Sequence, residues 1–284
     1  MRDIKIYLQQ ILQKSLGMTS HVAPSLCAHI AFQQWLKTYR HKPPKRELIW
    51  DSSAKKQFIN SHWGKLNVLT WPAQGPKILL VHGWNGRASQ MGAFAEPLNN
   101  AGFEVIAIDL PGHGASSGKS SHLPASAQAL LAAQQYFGPF HAIIGHSFGG
   151  AASLLAVSEG LKTQALITLG SPSKLEWVLD IYVEFLKFSP TAKLKLGKLV
   201  EHKFGTDIWQ RCNMEVQASL LTTPGLVIHD ADDKEVPYYH AEAVSKAWSA
   251  SIVKTSGLGH RRILRDNNVI KITVNFIQAQ TQTK

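Results

Sequence analysis

The chain has 284 residues, 44% of them hydrophobic and 17% charged, a balance that builds a globular core and excludes a disordered polar chain. A formal net charge of +11 raises the question of nucleic acid. The basic stretches Lys37–Lys56 and Lys187–Lys203 match no helix-turn-helix, zinc finger or aromatic RNA platform, so they read as a solvated surface open to weak attraction by an anionic membrane surface or an acidic substrate.

Residues 1–45 are predicted as a helical extension wrapped on the main domain and ending at Pro43-Pro44. Leu8, Ile11, Leu12 and Leu16 fall on one helical face; Ile30, Phe32, Trp35, Leu36 and Tyr39 do so more loosely. The N-terminus lacks a signal-peptide pattern, and no apolar run approaches the roughly 18 residues of a membrane span. With only Cys27 and Cys212, neither a disulfide framework nor a cysteine metal cluster is available. A cytoplasmic location, free thiols and no transmembrane segment are therefore expected.

From Leu66 onward short apolar runs alternate with segments of helical length. The runs are Leu66–Trp71, Ile78–Val81, Val105–Ile108, Ala142–Ile144, Ala165–Leu169 and Leu226–Ile228, with a weaker one at Ser251–Lys254. Wholly apolar strands suit a parallel sheet covered on both faces, and the intervening segments Met91–Ala101, Ala125–Phe137 and Ala151–Leu161 supply the helices. The expected fold is α/β, with a mostly parallel central sheet and helices on both faces. Between Pro172 and Pro224 the rhythm stops. Trp177, Ile181, Phe185 and Phe188 have helical spacing there, and a lysine-rich helical stretch follows, which predicts a helical cap inserted after the sixth strand. Trp177, Tyr182, Phe185 and Phe188 are candidates for the pocket wall or for cap packing. The division expected is an extension at 1–45, a core at 46–172 and 219–284, and a cap at 173–218.

Gly145-His146-Ser147-Phe148-Gly149 matches G-x-S-x-G, directly after an apolar strand and before an alanine-rich helix. A serine on so sharp a turn needs small neighbours; the turn lifts its hydroxyl above the sheet, and the Phe148 N–H sits at a helix start where it can meet an oxyanion. No phosphate-loop or dinucleotide pattern is present, and no cofactor is expected. In Val81-His82-Gly83-Trp84, also at a strand end, Gly83 lets the backbone turn so that the Trp84 N–H can face Ser147. Among thirteen histidines, His260 in Gly257-Leu258-Gly259-His260 lies just past the last strand and suits the base. The acid belongs to His229-Asp230-Ala231-Asp232-Asp233-Lys234-Glu235-Val236-Pro237, where several carboxylates compete. This cluster lacks the calcium-loop pattern, and no metal is expected.

Together these residues resemble the α/β-hydrolase superfamily over roughly Leu66 to Phe276, in the chain order Ser, Asp, His. Asp109-Leu110-Pro111-Gly112-His113-Gly114-Ala115-Ser116 is similar to the D-x-P-G-x-G-x-S turn of that superfamily, usually structural. The resemblance implies Asp233 as the acid, four residues before Pro237, with Asp232 the lesser candidate and Asp230 where many relatives have glycine. It implies a serine hydrolase, esterase- or lipase-like, with a small-molecule acyl substrate. A peptidase, a thioesterase, a carbon–carbon hydrolase and a non-catalytic ligand-binding relative are the alternatives.

Overall fold

A computed structural model describes residues 15–281. They form two compact units: residues 15–37 with 174–213, and residues 38–173 with 214–281. The predicted helical face through Leu8, Ile11 and Leu12 lies outside the described residues.

The larger unit is built on an eight-stranded sheet. Its strands are β1 (Lys55–Ser61), β2 (Gly64–Trp71), β3 (Lys77–Val81), β4 (Glu104–Ile108), β5 (Phe140–His146), β6 (Thr163–Leu169), β7 (Gly225–Asp230) and β8 (Ser251–Thr255), in the order β1-β2-β4-β3-β5-β6-β7-β8. From β4 to β8 every pair is parallel; β2 runs antiparallel to β4, and β1 folds back on β2 as a hairpin. β5 and β7 are buried along their whole length, because neighbouring strands and helices leave neither face to water. The helices of this unit are α2 (Lys45–Ser53), α3 (Ala95–Asn100), α4 (Leu123–Phe137), α5 (Phe148–Ser158), α9 (Met214–Ser219), α10 (Tyr239–Trp248), α11 (Gly259–Arg262) and α12 (Asn267–Ala279), with a 3₁₀ turn at Ala88–Phe94.

Register brings the candidate segments to one edge. Val81 of β3 pairs with Gly145 of β5, His146 pairs with Leu169 of β6, and Leu169 pairs with Ile228 of β7. The segments that follow these strands therefore leave the sheet side by side at its carboxyl end, where open α/β sheets bind ligands.

The smaller unit holds α1 (Pro24–Trp35), α6 (Leu175–Leu186), α7 (Pro190–Phe204) and the short α8 (Ile208–Arg211). α1 buries Cys27, Ala28, Ala31 and Phe32 and packs on α7, which buries Ala192, Leu196 and Val200, with Phe32 against Phe204 at 6.3 Å. Tyr182 stacks on Trp35 at 6.1 Å and donates its hydroxyl to the Ala31 carbonyl, while Phe185 remains 47% exposed. The helix of the extension ends at Trp35, not at Pro43-Pro44. Residues 38–44 belong to the larger unit, where Thr38 Oγ1 donates to the Gly112 carbonyl at 2.7 Å and the Tyr39 N–H to Asn85 Oδ1 at 2.8 Å. These bonds draw the backbone away from a helix.

The chain leaves the larger unit after Ser173 and re-enters at Met214. The Met214 N–H donates to the Ser173 carbonyl at 2.6 Å; Ser173 Oγ lies 2.8 Å from His240 Nδ1 and 3.1 Å from Glu215 Oε1. Cys27 and Cys212 are buried free thiols. Among the described residues no helix is long and apolar enough to cross a membrane.

Candidate active site

Ser147 is the single residue between β5 and α5, with φ 52° and ψ −122°. That region costs a non-glycine residue on the order of 1–3 kcal/mol, and it persists only where the surroundings enforce it. Here the Ser147 N–H donates to the Leu169 carbonyl at 2.8 Å, and the Ser147 carbonyl accepts from Gly150 at 3.0 Å and Ala151 at 3.2 Å. Gly149 is forced by the same crowding, since a Cβ there would stand 2.3 Å from the His82 carbonyl oxygen. The serine hydroxyl is thus carried out of the sheet by a turn of almost no bulk.

The segment after β3 comes up against this turn. A Cβ on Gly83 would lie 3.1 Å from Ser147 Cβ and 3.1 Å from His146 Nδ1, so any larger residue would have to push these neighbours back by a few tenths of an ångström. His82 holds the loop from beneath. Its Nδ1–H donates to the Gly83 carbonyl at 2.7 Å, and its Nε2 accepts from the Leu110 N–H at 3.1 Å, a pair of bonds that needs the neutral ring. Burial pushes the His82 pKa down to about 4. The Asp109 carboxylate ties the same loop to the next turn, accepting from Ala88 N–H at 2.6 Å, Ala115 N–H at 2.8 Å and Asn67 Nδ2 at 2.9 Å. Burial lifts this carboxyl above its ordinary range, and the three donors offset only part of that. Trp84 packs edge-on against Phe148 at 5.0 Å. Among the described residues, the Trp84 and Phe148 N–H groups have no protein acceptor.

His260 arrives from the far side. Its Nδ1 lies 2.7 Å from Asp233 Oδ2. A carboxylate can only accept, so Nδ1 carries the proton and Nε2 is left as the basic nitrogen. Asp233 is buried; its Oδ1 accepts from the Glu235 and Val236 N–H groups at 2.8 and 2.9 Å, and His229 Nε2 stands 3.5 Å from its Oδ2. Burial would raise the Asp233 carboxyl, but the bonds to His229, His260 and Val236 outweigh it and hold the group far below the usual carboxylate range. Asp232 is exposed, and its carboxylate accepts from the Gly257 N–H at 2.7 Å. Of the competing carboxylates, Asp233 is the one brought to His260.

Two contributors were not singled out by the sequence. Asp230 is fully buried, and its carboxylate accepts four hydrogen bonds: from Gly259 and Leu258 N–H at 2.8 and 3.0 Å, from Thr255 Oγ1 at 2.7 Å, and from Asp232 N–H at 3.0 Å. Desolvation opposes its charge, yet these donors hold its pKa below normal. His146 sends Nε2 to the His260 carbonyl at 2.8 Å, and the two rings lie 4.7 Å apart. The available signals were a charged residue ending a wholly buried strand, and a histidine beside the elbow serine.

Sheet, elbow and strand-end loops together define the α/β-hydrolase architecture. The sequence pattern of the Alpha/beta hydrolase family matches residues 78–270, and the chain belongs to that family. A 95-residue stretch, 31% of this chain, is 36% identical to the human Serine hydrolase-like protein and covers 46% of it; the chain matches under half the length of its curated relatives. Among solved structures, Est1E of Butyrivibrio proteoclasticus with bound ferulic acid is similar at a TM-score of 0.61 and 22% identity, over 80% of this chain and 98% of that one. A membrane phospholipase A described as a bacterial virulence factor is similar at 0.65 and 14% identity, over the whole of both chains. At these identities the likeness is one of fold.

Proposed function

We propose that the chain is a serine hydrolase that cleaves an ester-type acyl bond through Ser147, His260 and Asp233. The observation that carries the reading is the 2.7 Å bond from His260 Nδ1 to Asp233, together with a serine held at φ 52° on the strand-to-helix turn, one residue past His146, whose Nε2 lies 2.8 Å from the His260 carbonyl. In this mechanism His260 Nε2 takes the Ser147 Oγ proton as Oγ attacks the substrate carbonyl carbon. The oxyanion so formed accepts hydrogen bonds from the Trp84 and Phe148 N–H groups, each worth about 3 kcal/mol in comparable sites. The imidazolium then protonates the departing alcohol, leaving an acyl ester on Ser147. Water, deprotonated by the same Nε2, attacks that ester, and Ser147 recovers its proton as the carboxylic acid leaves. Asp233 keeps the productive tautomer throughout and stabilises the imidazolium, a role its strongly favoured carboxylate form suits.

The substrate in this reading is a small acyl ester. Fluorophosphonate labelling of the wild-type chain beside Ser147→Ala tests it. The expected result is one stoichiometric adduct on the wild type and none on S147A; an unlabelled wild type overturns the reading. A series of acyl esters of rising chain length then defines the substrate.

A further inference from the structure

α11, which carries His260, has little to hold it by burial. It is four residues long, none of them buried, and it follows β8, an edge strand paired only with β7 and partly open to water. Its backbone is held instead by polar groups from two strand ends. From β7, Asp230 takes the Leu258 and Gly259 N–H groups; from β5, His146 Nε2 meets the His260 carbonyl.

We propose that His146 and Asp230 are positioning residues that clamp the backbone around His260 from two sides and so fix its imidazole for Ser147. The proposal rests on the hydrolase reading above. A carbonyl oxygen only accepts, so His146 Nε2 carries the proton, and with one proton on the ring Nδ1 is bare. Nδ1 is buried against Gly83 with no hydrogen-bond partner among the described residues. A second proton there would be buried and unpaired, and burial pushes the His146 pKa down to about 3, with His260 adding to the shift. His146 therefore donates one N–H without placing a cation 4.7 Å from the ring that must itself become cationic during turnover. Asp230 complements it. A full negative charge in a buried site persists where N–H and O–H groups converge on it, and four do so here.

Two substitutions at one position separate the hydrogen bond from packing. His146→Phe keeps an aromatic ring and removes the donor, whereas His146→Gln can return a neutral N–H to nearly the same point. With melting temperatures matched, H146F is expected to lose roughly 10- to 100-fold in kcat on an ester substrate with little change in KM, and H146Q to recover most of it. The proton shared by His260 Nδ1 and Asp233, followed by NMR, is expected to exchange faster with solvent in H146F and in Asp230→Asn, and at the wild-type rate in H146Q. Wild-type kcat and exchange in H146F overturn the clamp, as do equal losses in H146F and H146Q. Should the wild type fail to react with fluorophosphonate, the hydrolase reading falls, and the exchange rates still decide whether the clamp exists.

Discussion

Ser147 stands on a turn shaped by the close approach of backbones, its own and that of the segment after β3, whereas His260 stands on a short helix held by acceptors and donors 29 and 114 residues away. On the serine side the determinants are absences: no Cβ at Gly149 or Gly83, and so no room for error in backbone path. On the histidine side they are added polar groups, above all the buried carboxylates of Asp233 and Asp230, which accept from backbone N–H groups. Crowding gives a position that cannot relax, and hydrogen bonds give one that can loosen by degrees. Substitutions should accordingly cost the serine side its fold and the histidine side its rate.

The largest effect tests the histidine side directly. Asp233→Asn keeps the shape but no longer enforces the tautomer, and kcat on an ester is expected to fall about 10,000-fold with folding retained. Unchanged kcat would remove Asp233 from the mechanism.

Acid comes next and acts on both sides, through three buried histidines. His82, His113 and His146 are held neutral mainly by burial, at about 4, 3 and 3. Their folded values lie below the unfolded value of about 6.5, so the folded chain binds fewer protons. Their contribution is fully present above about pH 6.5 and is lost as pH falls through the folded values, by about 1.4 kcal/mol per pH unit for each histidine in between. Asp233, also depressed, adds to the loss only below about pH 4. Urea midpoints should therefore drop steadily from pH 7 to pH 5; a constant midpoint would contradict the buried neutral rings.

Smaller again is Gly149→Ala, which sets a methyl group against the His82 and Val81 carbonyls. It should cost about 1–3 kcal/mol in calorimetry, together with loss of labelling, and a fully stable, active variant would mean the turn is softer than its contacts imply. Least of all is Asp232→Asn. Its carboxylate bonds one exposed N–H, and both rate and stability should stay within about 0.5 kcal/mol of wild type. A collapse in rate there would exchange the roles of the two aspartates.

The same contrast explains what could be read from the sequence. β3 to β7 were legible because strands buried on both faces carry an apolar run at their centre. β1 was not: in Lys55–Ser61 only Ile59 is buried, because the strand pairs on one side and faces water elsewhere. α2 escaped notice for a related reason, its sequence being polar apart from Leu48, Ile49 and Trp50; Trp50 packs so closely on Gly92 that a Cβ there would lie 2.4 Å from its Cβ. Ser147 announced itself through glycines beside it. Asp233 stood out only through the family resemblance, since nothing in Asp230-Ala231-Asp232-Asp233 tells which carboxylate turns toward a histidine 27 residues on. The work of Asp230 and His146 is invisible in one dimension, their partners being backbone atoms supplied by the fold.

The hydrogen bond between Ser173 and Met214 carries one last consequence. Chain exit and re-entry are neighbours, pinned to each other and to His240 within the same unit. Residues 174–213 are spliced into the chain of the larger unit like a cassette whose two ends share one socket. Such a junction suits exchange, because a longer, shorter or different insert can leave and return through the same two residues, with α1, which packs on α7 of the insert, exchanged beside it.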